Sequence, residues 1–469
     1  MIQNQAGNDT FPHIANCRSG KTKSKNKQLS TIAFMHIIKI RYRCYNHTRG
    51  GIMNHHIFGR LPKRLTISFP LWLIYGTKGE NSPYYDIDKT MREHAERGFN
   101  CIRIDSGAGL IHDLDGNLRQ PFNIGDMFGE YEKIPRQEHV IGDGGPCDLL
   151  SRLIETFECA KKYGICVILS QWYYLHTYWY HKAGDPIADE MFSVPSEERF
   201  EAFGKFWHYI LLELEKRNLD SQIAFVEIFN EVNEHPYYCG ERDWGANKNV
   251  TNEEAAMFGK QHTEVISFLQ KEHPNLIFAY DTAGPCQVKE TLPENTDVYN
   301  FHAYYLWGIY ESVFAEHPEW FRNEITPQDV MLSRNGRRPV DYGWYERVAK
   351  HNDINPDYLP EIEKELEKKL KVSCDEYKRI CKAMLDDAIR LCDGRKLVCG
   401  EGVSYIASKN ILWEEHSEAY WDLVKYGLSL YKKADVWGTV IRTCCGPEDP
   451  CWTLCKDKLL ELNSFFLED

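Results

Sequence analysis

A chain of 469 residues with 43% hydrophobic content can hold one large barrel or roughly two to three smaller domains, and it does not lack a core. Its net charge of −13 excludes nucleic acid as the main partner, because no positive field would gather phosphates. The charge is uneven: residues 1–64 hold 12 Lys/Arg against the single acid Asp9, whereas the remainder holds 44 basic and 68 acidic residues.

Residues 1–52 are polar and basic, with a Lys/Ser-rich run from Lys21 to Lys27 and no clear periodicity. They read as a disordered extension preceding a catalytic domain over 53–469, with Met53 as an alternative start. The partly apolar stretch Thr31 to Ile40 is short, contains His36 and Lys39 and lacks a small-residue cleavage site, so no secretory signal is expected. No run reaches the ~20 apolar residues of a membrane span. Many of the sixteen cysteines, Cys101, Cys166 and Cys399 among them, fall inside expected strands or helices, where free thiols act as small hydrophobes. A reducing, cytoplasmic setting follows as an expectation.

From Leu65 onward strand-like and helix-like segments alternate. Expected strands are Leu65–Ile74, Asn100–Ser106, Ile165–Gln171, Ile223–Phe229, Leu276–Asp281, Asp297–Tyr304, Lys396–Glu401 and Val436–Arg442. Helices are expected at Asp86–Arg97, Cys147–Tyr163, Glu197–Arg217, Asn252–Glu272, Leu359–Cys392, Glu415–Lys433 and Cys451–Leu467. Eight strands alternating with helices predict a (β/α)₈ TIM barrel with loop insertions. In that fold catalytic groups come from the C-terminal ends of strands.

Two apolar runs end abruptly in carboxylates: Ile223-Ala-Phe-Val-Glu-Ile-Phe closes on Asn230-Glu231, and Lys396-Leu-Val-Cys-Gly400 closes on Glu401. A short, continuous apolar run fits a strand buried on both faces, and a carboxylate at its exit fits a cleft better than a core. Two such glutamates are what cleavage of a glycosidic bond requires, although either one alone fits an ordinary ion pair. Glu234 repeats the Asn-Glu dipeptide, but the apolar run ends at Asn230 and favours Glu231.

Five motifs fall in order on successive strands: Gly98-Phe-Asn-Cys-Ile-Arg103, Glu227-Ile-Phe-Asn230-Glu231, Phe301-His302-Ala-Tyr304, Gly400-Glu401-Gly402, and Trp437. In this pattern the chain resembles glycoside hydrolase clan A, most closely the family 5, cellulase-like enzymes, over residues 65–469. The resemblance implies a retaining hydrolase of a β-linked glucan, mannan or related sugar, with Glu231 as acid/base and Glu401 as nucleophile. It implies no cofactor and no metal. Arg103 would keep Glu401 ionised, with an ion pair to Asp105 or Glu96 as the plainer role. Asn230 would bind a sugar hydroxyl, Tyr304 would hydrogen-bond the nucleophile, and His302 would line the cleft. Trp437, Trp307 and Trp172 are candidate stacking platforms, Trp172 lying in the aromatic loop 172–181.

The exit of strand three, Leu169-Ser-Gln171-Trp172, departs from the family's polar, histidine-bearing pattern. Cys444-Cys445, Cys451 and Cys455 match no common zinc spacing. The insertion Trp307–Asp357 would wall one end of the cleft if the enzyme is exo-acting. A barrel that binds carbohydrate or a protein without catalysis is the alternative. The expected partner is a carbohydrate substrate, with no nucleic acid and no membrane, and the oligomeric state stays open.

Overall fold

The computed structural model describes residues 55–78, 82–123, 146–171, 190, 193–195, 198–231, 252–284, 289–324, 353–404, 410–443 and 445–468. The basic extension 1–52, Trp172 with its aromatic loop, Glu234, Cys444 and most of the 307–357 insertion lie outside these residues.

Eight parallel strands close into a barrel: β1 Leu65–Ser68, β2 Cys101–Asp105, β3 Cys166–Ser170, β4 Ile223–Glu227, β5 Phe278–Thr282, β6 Val298–Ala303, β7 Lys396–Gly402 and β8 Gly438–Val440. Sequential strands pair around the ring, and β1 closes it against β8 with Leu65 opposite Gly438. The longer helices are α1 Ile87–Glu96, α2 Leu149–Tyr163, α3 Arg199–Glu215, α4 Asn252–Glu272, α5 Gly308–Phe314, α6 Leu359–Cys392, α7 Glu418–Lys433 and α8 Lys456–Leu467. This is the expected (β/α)₈ architecture. None of the described helices is long and apolar enough to cross a membrane.

Local chemistry sets the helix ends. Asp86 and Asp148 cap α1 and α2 by accepting the Lys89 and Ser151 amides. Gly164 ends α2 in the left-handed conformation at φ 68°. The first expected strand is cut short after Ser68, and Leu73–Tyr75 forms a 3₁₀ turn. Pro70 falls in the gap; with no N–H to give, it cannot continue a ladder. The expected last helix is two, Pro450–Leu454 and α8, meeting at Cys455.

Side chains alternate across each strand. Along β2, Ile102 and Ile104 face the helices, whereas Cys101 points into the barrel. The barrel's lower interior is an apolar layer that includes Leu65, Ile67, Cys101, Phe225, Ala279, Val298 and Val398. One inward position further along the strands, that layer gives way to Arg103, Glu227, Asp281 and Asn300, all buried. Apolar packing therefore ends halfway up, and charge fills the upper half.

Trp437 belongs to the lower layer. It precedes β8, its side chain is buried against Phe58 and Phe225, and its indole N–H donates to the Pro62 carbonyl at 3.0 Å. The expectation that it stands beside the C-terminal mouth as a sugar platform is corrected. Trp437 stands at the start of even the expected strand Val436–Arg442, and a residue at a strand's start lies at the N-terminal end of the barrel, away from the mouth.

Candidate active site

Arg103, from β2, is the hub of the upper interior. It is fully buried and its guanidinium reaches four neighbours: Glu227 Oε2 at 2.8 Å, Glu401 Oε1 at 2.6 Å, Asn230 Oδ1 at 2.5 Å and Asp281 Oδ2 at 3.1 Å. Burial alone would make it easier to deprotonate, but Glu227, Asp281 and Glu401 outweigh that and hold the cation more firmly than usual. The fork of donors suits several oxygens at once, which a lysine could not serve. The plainer pairing with Asp105 or Glu96 is absent from the ion pairs of the described residues.

Glu401 owes its direction to an irregularity in β7. Phe301 pairs with Cys399 and His302 with Glu401, so Gly400 is the extra residue of a bulge that turns Glu401 into the mouth. The Glu401 carboxylate accepts from Arg103 on Oε1 and from the Tyr304 hydroxyl on Oε2 at 2.5 Å. Burial raises its pKa, while His302 and Arg103 pull in the opposite direction. The two direct donors serve the ionised form.

Glu231 lies just beyond β4, with its side chain 19% exposed and its main chain left-handed at φ 47°. Its Oε1 lies 2.7 Å from His302 Nδ1. The other ring nitrogen, Nε2, lies 3.0 Å from Asp281 Oδ2 and 3.6 Å from Glu401 Oε1. Burial would strip the proton from His302, but Asp281 and then Glu401 outweigh it and lift the ring's pKa well above the ordinary histidine value. A carboxylate oxygen of Glu231, one of Glu401 and a ring nitrogen of His302 lie within 4.8 Å of one another.

Tyr304 and Trp307 follow β6, both half-buried, with rings edge to face at 5.4 Å. Asn230 is buried, its main-chain N–H donating to the main-chain carbonyl of Gln171 at 3.0 Å. Gln171, at the departing exit of β3, is itself buried and accepts from Ser106 and from the Ala108 amide. The structure thus brings Arg103, Asn230, Glu231, His302, Tyr304, Trp307 and Glu401 to one end of the barrel and leaves Trp437 at the other.

Three residues of the cluster carry no role in the sequence reading: Glu227, Asp281 and Asn300. Burial pushes the Glu227 carboxyl up to about 7, with Arg103 pulling it down. Asn300 donates to both Glu227 and Asp281, at 2.5 and 2.6 Å. Asp281 carries a signal that could have found it, since it ends an apolar run just as Glu401 does. Glu227 sits inside a quoted motif, two positions from an inward-facing phenylalanine, which places it in the barrel interior.

Residues 71–448 match a family described as sugar-binding cellulase-like. No curated protein matches the chain. Among solved structures, the chain is similar to a proposed glycoside hydrolase from Parabacteroides distasonis, with 18% identity over 86% of this chain and 93% of that one and a TM-score of 0.61. It is also similar to a glycoside hydrolase family 5 enzyme from Prevotella bryantii, at 13% identity over 87% and 97% of the two chains, TM-score 0.45. A family 5 mannosidase from Rhizomucor miehei, in complex with mannosyl-fructose, shares 11% identity over 87% and 95%, TM-score 0.43. At these identities the structural likeness speaks to the fold. With a match over most of its length, the chain belongs to the cellulase-like family.

Proposed function

We propose that the protein is a retaining glycoside hydrolase acting on a β-linked glucan, mannan or related oligosaccharide. The observation that carries this reading is the placement of Glu231 and Glu401, with carboxylate oxygens within 4.8 Å across the mouth. Retaining enzymes hold their two carboxyl groups ~5–5.5 Å apart, whereas inverting ones leave ~6.5–9.5 Å for a water molecule.

In the first step a Glu401 carboxylate oxygen attacks the anomeric carbon. The glycosidic C–O bond breaks and the leaving oxygen takes the proton of Glu231. In the second step Glu231 takes a proton from water, and the hydroxide oxygen displaces Glu401 from the same carbon. Arg103 and Tyr304 orient the nucleophile. Asn230 is placed to bind the hydroxyl next to the anomeric carbon, and Trp307 to stack on a neighbouring ring.

Hydrolysis of aryl β-glucosides and β-mannosides tests the assignment. Glu231→Gln and Glu401→Gln should each cut turnover by several orders of magnitude. A Glu401→Gly variant rescued by azide should yield a glycosyl azide of inverted configuration. Full activity in either glutamine variant removes the assignment, and binding of β-glucan with no cleavage by the unaltered protein points to a non-catalytic barrel.

A further inference from the structure

Asp281, one residue before the end of β5, is 1% exposed and, like Arg103, reaches four members of the site. Oδ1 accepts the main-chain N–H of Glu231 at 2.6 Å. Oδ2 faces Asn300 Nδ2 at 2.6 Å, His302 Nε2 at 3.0 Å and Arg103 at 3.1 Å. A carboxylate accepting this many donors is held ionised. The left-handed main chain of Glu231 is strained for a non-glycine residue and persists only where neighbours over-determine it.

We propose that Asp281 is a positioning residue for the acid/base Glu231, acting by two routes at once. Oδ1 pins the Glu231 main chain in its left-handed turn. Oδ2 keeps His302 doubly protonated, so that its Nδ1–H is donated to Glu231 Oε1. This rests on the glycosidase reading above. With Oε1 engaged by the imidazolium, the proton given to the leaving oxygen and later taken from water is carried on Oε2. The imidazolium also stabilises the carboxylate that Glu231 becomes as the leaving group departs. Among the described residues, the charged or titratable groups facing His302 are Glu231 after β4, Asp281 on β5, Tyr304 after β6 and Glu401 on β7, with Arg103 and Glu227 behind them in the same cluster.

The effect must grow with the need for leaving-group protonation, and that separates positioning from general support of the barrel. In Asp281→Asn, cleavage of a phenyl β-glycoside should fall about a hundredfold, while an activated dinitrophenyl glycoside should lose less than about threefold. His302→Gln leaves Asp281 in place and should give the same dependence, which covers the case in which Asp281→Asn does not fold. Nitrogen NMR of the imidazole, assigned by its loss in His302→Gln, should show both nitrogens protonated at about pH 8, well above the ordinary histidine pKa, and the second proton lost in Asp281→Asn. Equal losses on both substrates overturn the proposal, as does a neutral His302 in the unaltered protein at that pH. If the unaltered protein cleaves neither glycoside, the enzyme reading falls by itself, and the imidazole signal still decides whether Asp281 sets the charge of His302.

Discussion

Gly400 lies flat against Asn300: a Cβ at Gly400 would fall 2.8 Å from Asn300 Cγ and closer still to its amide nitrogen and oxygen. Asn300 cannot swing aside, because it is fully buried and donates to both Glu227 and Asp281. Gly400→Ala should therefore break the bulge or push Asn300 off both carboxylates. The expected result is a turnover loss of at least about tenfold with a stability cost of about 1–3 kcal/mol, read by aryl-glycoside kinetics and thermal melting. Wild-type kinetics in this variant would show that the bulge does not aim Glu401.

Arg103 offers the strongest stability test. Its removal leaves Glu227 buried without its cation and takes one of two cations from Asp281 and Glu401, and breaking a buried pair costs about 3–5 kcal/mol. Arg103→Ala should melt well below the unaltered protein. Arg103→Lys keeps the charge but cannot hold four oxygens from one plane, so its activity should fall more than its melting temperature does.

His262 gives a pH prediction with a definite sign. It is buried among Phe200, Phe229 and Tyr280, and burial lowers its pKa to about 3. The unfolded chain takes up a proton below the ordinary value of 6.5, and the folded chain does not until far lower pH. Stability from this residue is thus complete above pH 6.5 and drains away as the pH falls toward about 3. His94, lowered to about 4, acts in the same direction. His262→Phe should raise the melting temperature more at mildly acidic than at neutral pH, and an identical change at both would refute the account.

Trp437→Ala should behave as a core mutation. The ring fills the apolar layer beneath the charged cluster, so its loss should cost about 3–5 kcal/mol and leave KM for soluble substrates unaltered. A large rise in KM with intact stability would return Trp437 to the substrate site.

The barrel and both exit glutamates were legible because parallel strands are buried on two faces and show as continuous apolar runs, which a terminal carboxylate interrupts visibly. Trp437 is misread for a different reason: it opens its strand and so belongs to the barrel's lower end, but an indole in an apolar layer and an indole under a sugar look alike in one dimension. Glu227 escaped for another reason. Its partner Arg103 lies on a different strand, so nothing in its own neighbourhood announces that a full charge is tolerated there. Asp281 was within reach, since it repeats the pattern that singled out Glu401, but strand five holds no motif to draw attention to it.

Both exits carry a kink that most side chains avoid, at Glu231 and, two residues beyond Glu401, at Val403 with φ 71°. A β-branched residue is poorly suited to that conformation. Replacing Val403 by glycine would relax the backbone there but strip a buried side chain from the core, so strain relief and lost packing oppose one another. The side chain that strains this turn is thus also the one that anchors it, two residues from the glutamate at the mouth.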